Sequence, residues 1–299
     1  MRRRLAGELI KACLTVLVLA QTAGAEPSAR LVGVYRWFGD EPGDADLFGG
    51  FSAIEVTEDG GGFTALTDHS DLFSGRFLRE NGVITGIERG LLRHLTDDTG
   101  ARLDHEYWDS EGLAVAPDGR IFVSFEGFHR VWDYTDPART GILPRPAQFN
   151  TLIANSSLEA LAVDARGWLY TLPERSGRLT RPYPVYRYRN GNWDVPFHIR
   201  RDAAFLPVGA DIGPDGRFYL LERAFNGYAF SNRVRRFSLS ETELVEECVI
   251  LQTEPAQYDN LEGLSVWRDE TGAIRLTMIA DDNFNWFQQT QIVEYTIAE

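Results

Sequence analysis

The sequence predicts an all-β fold, and within that class a β-propeller with five blades, six blades remaining open as an alternative. Three observations support this prediction. A strand–turn–strand pattern recurs five times, its turn glycines are spaced by roughly 50 residues, and no stretch has sustained helical periodicity. A β-sandwich would also hold many strands, but it would not explain the repeat.

The recurring unit is a β-hairpin, clearest at residues 111–126. Alternating apolar residues after Glu111 predict a strand. Pro117, Asp118 and Gly119 then supply a tight turn in which the glycine accepts a positive φ. A second apolar strand ends at Glu126. The other copies have their turns near Gly61, Gly167, Gly216 and Gly272.

Further strands are expected between the hairpins, and one before the first of them. They cover residues 131–134, 185–189, 196–200, 234–239, 244–251 and 292–297. The last repeat has only three strands, whereas residues 31–37 form a lone strand ahead of the first copy. An open ring would leave sheet edges unpaired. We therefore expect the N-terminal strand to complete the last blade and close the ring.

Residues 1–25 have the pattern of a secretory signal peptide. Three arginines follow Met1, a short apolar run comes next, and small residues end the segment at Ala25, where we expect cleavage. The apolar run is shorter than the roughly 20 residues that a spanning helix needs. The sequence thus predicts an exported protein, periplasmic in a bacterium or secreted, with one domain over residues 26–299 and no membrane span.

The chain is strongly acidic. Its formal charge is −14, and loss of residues 1–25 would remove four basic residues and one acidic residue, leaving −17. Such a charge disfavours nucleic acids and anionic membranes as partners and is compatible with divalent cations. Cys248 would be the only remaining cysteine, so no internal disulfide is expected, and its apolar surroundings predict a core position.

The hairpins predict an acidic ring at one end of the central channel. If they form the inner strands, the residues before the first strand and after the second meet at that end, Asp68 coming from the first copy. The candidate catalytic residues are Glu111, Glu159, Glu262 and His69. The candidate metal ligands are Glu126, Glu174, Glu222, Asp281, Asp282 and Asn283. Gly50 and Val208 take the place of the first glutamate in copies one and four, which would open a sector for substrate.

Clustered carboxylates repel one another and need partners to stay ionised. One possible partner is a hard divalent cation, which takes oxygen ligands. The other is arginine: Arg130, Arg175 and Arg223 follow acidic residues closely, and Arg175 and Arg223 are candidate substrate-binding residues for a phosphate or carboxylate. A third interpretation is structural, with each glutamate joining neighbouring blades by accepting backbone N–H bonds.

Six segments stand in a fixed order along the chain, at residues 50–54, 111–119, 158–163, 220–223, 261–266 and 281–283. As an ordered set they resemble the family described as esterase-like activity of phytase, over roughly residues 46–297. The resemblance implies an exported phytase-like propeller domain, hydrolysis of phosphate or carboxylate esters, and calcium as cofactor. It points to the same acidic residues, with Arg175 and Arg223 as anion clamps. The mature chain has no lysine, so arginine alone would grip a phosphate.

Three functions therefore stay open at the level of sequence. The first is a calcium-assisted hydrolase of a small anionic or ester substrate, and the second, a variant of it, is a gluconolactonase-like lactone hydrolase. The third is a non-catalytic propeller that binds a ligand or a partner protein. Phe284, Trp286 and Phe287 follow the acidic run and suit a pocket wall, a docking patch or the core.

Overall fold

The computed structural model describes residues 27–39, 47–136, 138–153, 156–202, 204–285 and 288–298. The predicted signal peptide, Cys13, Trp286 and Phe287 lie outside the described residues. The described chain forms five antiparallel four-stranded sheets and one short 3-10 helix, Ala147–Thr151. The prediction of a five-bladed propeller is thus confirmed, and the six-bladed alternative is wrong. No helix among the described residues is long and apolar enough to cross a membrane.

Each sheet is one blade, and its strands follow one another outward from the channel. Blade one contains β2 (Phe51–Val56), β3 (Gly62–Thr67), β4 (Asp71–Glu80) and β5 (Val83–His94). Blade two contains β6 (Ser110–Val115), β7 (Ile121–Phe125), β8 (Arg130–Asp133) and β9 (Gly141–Ile142). Blade three contains β10 (Leu158–Val163), β11 (Leu169–Pro173), β12 (Tyr183–Arg189) and β13 (Asn192–Ile199). Blade four contains β14 (Leu206–Ile212), β15 (Arg217–Phe225), β16 (Phe230–Leu239) and β17 (Leu244–Gln252). Blade five contains β18 (Asn260–Arg268), β19 (Ile274–Asp281), β20 (Gln291–Ala298) and, on its outer edge, β1 (Ser28–Arg36).

The ring closes as the sequence predicts. β1 pairs antiparallel with β20 from Ser28 opposite Ala298 to Arg36 opposite Gln291, so the first strand of the chain completes the last blade. The innermost strands, β2, β6, β10, β14 and β18, each contact the next, and β18 contacts β2. Five apolar clusters fill the interfaces between neighbouring blades, so the core is divided among the blade contacts.

An aspartate and a glycine build the turn between the two inner strands of every blade. The aspartate Oδ1 accepts a hydrogen bond from the backbone N–H two residues later, at 2.9–3.2 Å. The glycine takes a positive φ, from 68° at Gly60 to 86° at Gly119 and Gly272. Because these turns all lie at one end of the ring, the open ends of the hairpins meet at the other.

Candidate active site

A β-bulge interrupts the innermost strand of every blade at the same place. The pairing register breaks once in each inner hairpin, leaving one residue of the inner strand unpaired. The unpaired residues are Ser52, Glu111, Glu159, Val208 and Glu262. Bulges re-aim side chains, and here they bring three glutamates together at one end of the channel. The expectation that Gly50 fills this place in blade one is wrong, because the register leaves Ser52 unpaired.

The second inner strand supplies another residue from each blade to the same end. In each blade it is the residue that directly follows the partner of the last inner-strand residue before the bulge: Asp68, Glu126, Glu174, Arg223 and Asp281. We call the end of the channel defined by these five residues and by Glu111, Glu159 and Glu262 the acidic mouth. Blade four is the exception in both sets, because it offers a valine and an arginine where the other blades offer mostly acids.

Glu222 lies elsewhere, contrary to the sequence-based prediction. It pairs with Pro207 across the hairpin, one residue before the mouth position, so its side chain leaves the strand on the opposite face. There it is fully buried and binds Arg235 through both carboxylate oxygens, at 2.6 and 2.8 Å, and Arg233 at 2.8 Å. Glu222 is thus a buried ion-pair partner within blade four and is not part of the acidic mouth.

Three carboxyl groups of the mouth come close enough to share one ion. Oxygen atoms of Asp109, Glu111 and Glu126 all lie within 4.8 Å of one another. The Asp109 side chain also hydrogen-bonds to Glu111, and that of Glu126 to Glu159. Two carboxyl groups can make such contacts only with a proton or a cation between them. Asp109 was not among the predicted site residues, although it stands two residues before the bulged Glu111, as Asn260 stands before Glu262.

Arg223 is the cation at the centre of this arrangement. Its guanidinium donates to Asn260 Oδ1 at 2.7 Å, to Glu174 Oε1 at 3.4 Å and to Glu262. Asn260 Nδ2 donates in turn to Glu262 Oε1 at 2.7 Å. Arg175 also pairs with Glu174, at 3.2 Å, but its side chain is 53% exposed. The structure thus places both predicted substrate-binding arginines at the mouth, one embedded and one facing solvent.

Burial, together with repulsion among the crowded carboxyl groups, raises the pKa values of the acidic groups at the mouth. Burial, followed by repulsion from Glu262, raises the pKa of Asp68 to about 7 and that of Asp281 to about 9. Burial also raises the pKa of Glu126 to about 7. The pKa values of Glu111 and Glu159 lie well above the usual range for the same reasons. Asp68 Oδ1 is buried with no hydrogen-bond partner among the described residues.

The run from Asp281 to Phe284 folds over one side of the mouth. Asp282 Oδ1 accepts the Gly50 N–H at 3.1 Å, and Thr290 donates to Asp282 Oδ2 at 2.9 Å, so this carboxylate ties blade five to blade one. Asn283 is exposed and lines a cleft next to the mouth. Of the three predicted metal ligands in this run, only Asp281 belongs to the acidic mouth.

His69 stands at the rim between two aromatic rings. It stacks on Trp108 and on Phe284, each with 4.6 Å between ring centroids, and its Nε2 lies 3.8 Å from Asp68 Oδ1. Burial lowers the pKa of His69, so the ring is neutral at pH 7. His129, by contrast, is buried with Nδ1 2.5 Å from Ser157 Oγ.

The channel below the mouth is too narrow for a substrate. The cavity between the bulged residues and the next residues of the inner strands has a volume of about 10 Å³, room for one water molecule. Glycine at this level lets the strands approach closely, since a Cβ on Gly209 would lie 2.4 Å from the Glu262 carbonyl oxygen. A molecule larger than water is therefore excluded from the channel below the mouth.

The donor set fits a hard divalent cation. Asp109, Glu111 and Glu126 offer only oxygen atoms, which calcium prefers, and the buried, unpartnered oxygen of Asp68 belongs to the same mouth. None of the three is joined to arginine by an ion pair within the described part of the chain. These three carboxyl groups are therefore the residues best placed to hold a metal ion.

Comparison with known proteins identifies a family. The family model named phytase-like, with the description esterase-like activity of phytase, matches residues 46–284, most of the chain. A search of the curated proteins finds no match.

Several solved structures are similar in fold. A PQQ-bound aldose sugar dehydrogenase from Streptomyces coelicolor is 12% identical with a TM-score of 0.49, and covers 92% of this chain and 99% of its own. An endo-arabinase from Bacteroides thetaiotaomicron is 13% identical with a TM-score of 0.48, over 83% and 94%. A virginiamycin B lyase from Staphylococcus aureus is 12% identical with a TM-score of 0.42, over 91% and 99%. Similarity at this level says nothing about the activity of this chain.

Proposed function

Because the chain belongs to the phytase-like family of esterase-like activity of phytase, we propose that it hydrolyses a phosphate or carboxylate ester at the acidic mouth, assisted by a divalent cation such as calcium. The observation that carries the proposal is the triad of Asp109, Glu111 and Glu126, whose carboxylate oxygens lie within 4.8 Å of one another. We also propose that the protein acts outside the cytoplasm, which the sequence of residues 1–25 supports.

The triad would hold the ion, with Asp68 as a nearby further oxygen donor. A bound divalent cation polarises an ester or phosphoryl oxygen and lowers the pKa of a bound water molecule. Glu126 is held in place for this role, because the Ser157 N–H donates to its Oε1 at 2.5 Å. Preorganisation of this kind keeps a ligand oxygen in position whether or not an ion is present.

The other groups of the mouth can bind substrate and move protons. Arg223 is fixed by Glu262 and Asn260, so its positive charge is ready to stabilise negative charge on the reacting group. Arg175 is exposed and can reach an anionic group from solvent. Burial raises the pKa of Glu159 well above its usual range, which favours the protonated form that can donate to a leaving oxygen. His69 Nε2, next to Asp68, can accept a proton at the rim.

The test is hydrolysis by the purified protein of p-nitrophenyl phosphate, p-nitrophenyl acetate and δ-gluconolactone, with calcium and with a chelator. The lactone arm tests the gluconolactonase-like variant. We expect turnover of at least one substrate with calcium, abolished by the chelator, and a loss of about 100-fold or more in Glu111→Gln. The matched control is Glu58→Gln, an exposed glutamate on an inner-hairpin turn at the opposite end of the ring. Absence of turnover under every condition would refute the hydrolase.

A specific observation favours a second candidate, the non-catalytic binding propeller. Glu174 and Glu262 are already bound to Arg223, and Glu126 of blade two accepts the Ser157 N–H of blade three. Such contacts join blades, and this structural role does not require catalysis. For a binding propeller we expect no turnover, and we expect Glu111→Gln to leave ligand or partner binding intact when the blades stay folded.

A further inference from the structure

A second cavity lies beside the acidic mouth, between blades four and five. Its volume is about 680 Å³, within the range of small-molecule sites. The β15–β16 hairpin forms one wall, with Phe225, Tyr228 and Phe230, and described residues that precede β20, among them Asn283 and Gln289, form the other. We call this cavity the amide cleft. Neither the family description nor the proposed chemistry assigns it a role.

Amides and aromatic rings dominate the lining of the amide cleft. Six of its fourteen residues are asparagine or glutamine. Among the described residues that line the cleft, Arg36 and Asp259 alone are charged, and their formal charges cancel, in contrast to the mouth. Asp259 is also occupied internally, because it accepts hydrogen bonds from Gln288 Nε2 at 2.9 Å and from the Gln289 N–H at 3.0 Å. Asp259 is therefore not free to bind a charged group of a ligand.

The aromatic wall is exposed but held in place. Tyr228 is 97% exposed, and its N–H and that of Ala229 both donate to Asn226 Oδ1 at 3.0 Å, which fixes the turn. Behind it Phe225 and Phe230 pack with their ring centroids 4.9 Å apart. Phe225 is 59% exposed as well, so two rings of this wall face solvent. The wall thus offers exposed ring surface of Tyr228 and Phe225 to a ligand.

The amide cleft leads directly to the acidic mouth. The Arg223 guanidinium lies 6.0 Å from the centre of the Phe230 ring, and Asn260, which binds Arg223, follows Asp259 in the chain. Asn283 follows Asp281 and Asp282 in the same way. A molecule in the cleft would therefore extend toward the carboxyl groups of the mouth.

We propose that the amide cleft binds a neutral saccharide, as the non-reacting part of the substrate. Gln257, Asn285, Gln288 and Gln291 already use side-chain groups in hydrogen bonds within the protein. The side-chain amides of Asn283 and Gln289 make none among the described residues, so each offers a donor and an acceptor side by side, which matches adjacent hydroxyl groups that do the same. The ring faces of Phe225 and Tyr228 match the C–H faces of a sugar ring. The inference rests on the proposed function only in making the saccharide part of the substrate, because binding to the cleft needs neither metal nor turnover.

The test is direct binding of maltose, cellobiose and xylobiose to the full chain in a chelator, by saturation-transfer NMR and calorimetry. At least one saccharide binds the wild type. Tyr228→Ala and Gln289→Leu each weaken this binding about tenfold, the effect of one lost stacking contact or hydrogen bond. Tyr107→Ala is the matched control, because Tyr107 is an exposed tyrosine of the loop before blade two and should leave affinity unchanged.

Glu111→Gln separates the two proposals. This variant should keep saccharide binding while losing hydrolysis. A protein that fails to hydrolyse any substrate but still binds a saccharide would therefore refute the hydrolase and not the saccharide site. Tyr228 is almost fully exposed, so its substitution should not unfold the protein, and the thermal midpoint of each variant checks this. Absence of binding by every saccharide, or equal affinity of the wild type, Tyr228→Ala and Gln289→Leu, would overturn the inference.

Discussion

Arg223 occupies the position at which the other four blades carry a carboxylate. The sequence predicts Arg223 as an anion-binding residue, because Arg223 follows Glu222 and lies in a segment that resembles the family motif. It also predicts Glu222 as a metal ligand of the acidic ring. The bulge at Val208 explains that error, since a shift of one residue moves a side chain to the opposite face of a strand. Asp109 lies just before β6, outside the hairpin from which the site residues were predicted, so the repeat does not single it out.

At the residue scale, loss of Arg223 should be costly. Arg223→Gln leaves Glu262 and Glu174 without their buried cation, and we expect the free energy of unfolding at pH 7 to fall by about 3–5 kcal/mol. Arg175→Gln is the matched control, because its ion pair is exposed and should be worth less than about 1 kcal/mol. Urea denaturation of both variants measures the difference. Equal stability of the two would mean that Arg223 is not the main counter-ion of the mouth.

At the scale of elements, the sequence was most informative about hairpins and least about bulges. Asp118 and Gly119 predict a turn directly, and an aspartate with a nearby glycine recurs at the turn of each copy. A single extra residue in an otherwise alternating strand leaves no comparable mark, so the pairing register came only from the structure. The residue after the bulge is glycine in blades two, four and five, which is where the inner strands come closest.

This close packing predicts a cost for a single methyl group. A Cβ on Gly209 would lie 2.4 Å from the backbone carbonyl oxygen of Glu262, so Gly209→Ala must push β14 and β18 apart. We expect a loss of about 1–3 kcal/mol in the free energy of unfolding. Gly61→Ala should change little, because its new Cβ meets only the flexible Asp59 side chain, at 3.3 Å. A neutral Gly209→Ala, measured by the same denaturation, would show that the inner strands can separate freely.

At the scale of the whole molecule, counting repeats was enough to predict the ring. Five hairpin copies gave five blades, and the unpaired strand at the N-terminus gave the closure between β1 and β20. The repeat count does not predict the amide cleft, because the cleft is formed by residues from two different blades. Those residues lie far apart in the sequence and share no pattern with the repeat.

The acidic mouth should make stability depend on pH and on calcium. Asp68 and Glu126 have pKa values of about 7 and Asp281 of about 9, against ordinary values of 3.8, 4.5 and 3.8. The folded chain therefore binds more protons than the unfolded chain, and the free energy of unfolding falls as pH rises toward these values. The lowered pKa values of His69 and His129 act in the opposite direction, but only up to about pH 6.5.

In a chelator, the thermal midpoint should thus fall between about pH 6.5 and pH 9. Calcium should restore more of it at the higher pH, because carboxyl ligands must lose their protons before they bind metal. Differential scanning calorimetry with calcium and with chelator gives both slopes. A midpoint that rises over this range in the chelator would contradict the buried, protonated state of the mouth.

If the acidic mouth holds a divalent cation as proposed, calorimetric titration of calcium into chelator-treated protein at about pH 8 should detect it. We expect saturable binding by the wild type and by Glu58→Gln, and affinity at least about tenfold weaker in Glu111→Gln. Absence of binding by the wild type, or equal affinity in Glu111→Gln, would contradict the proposal.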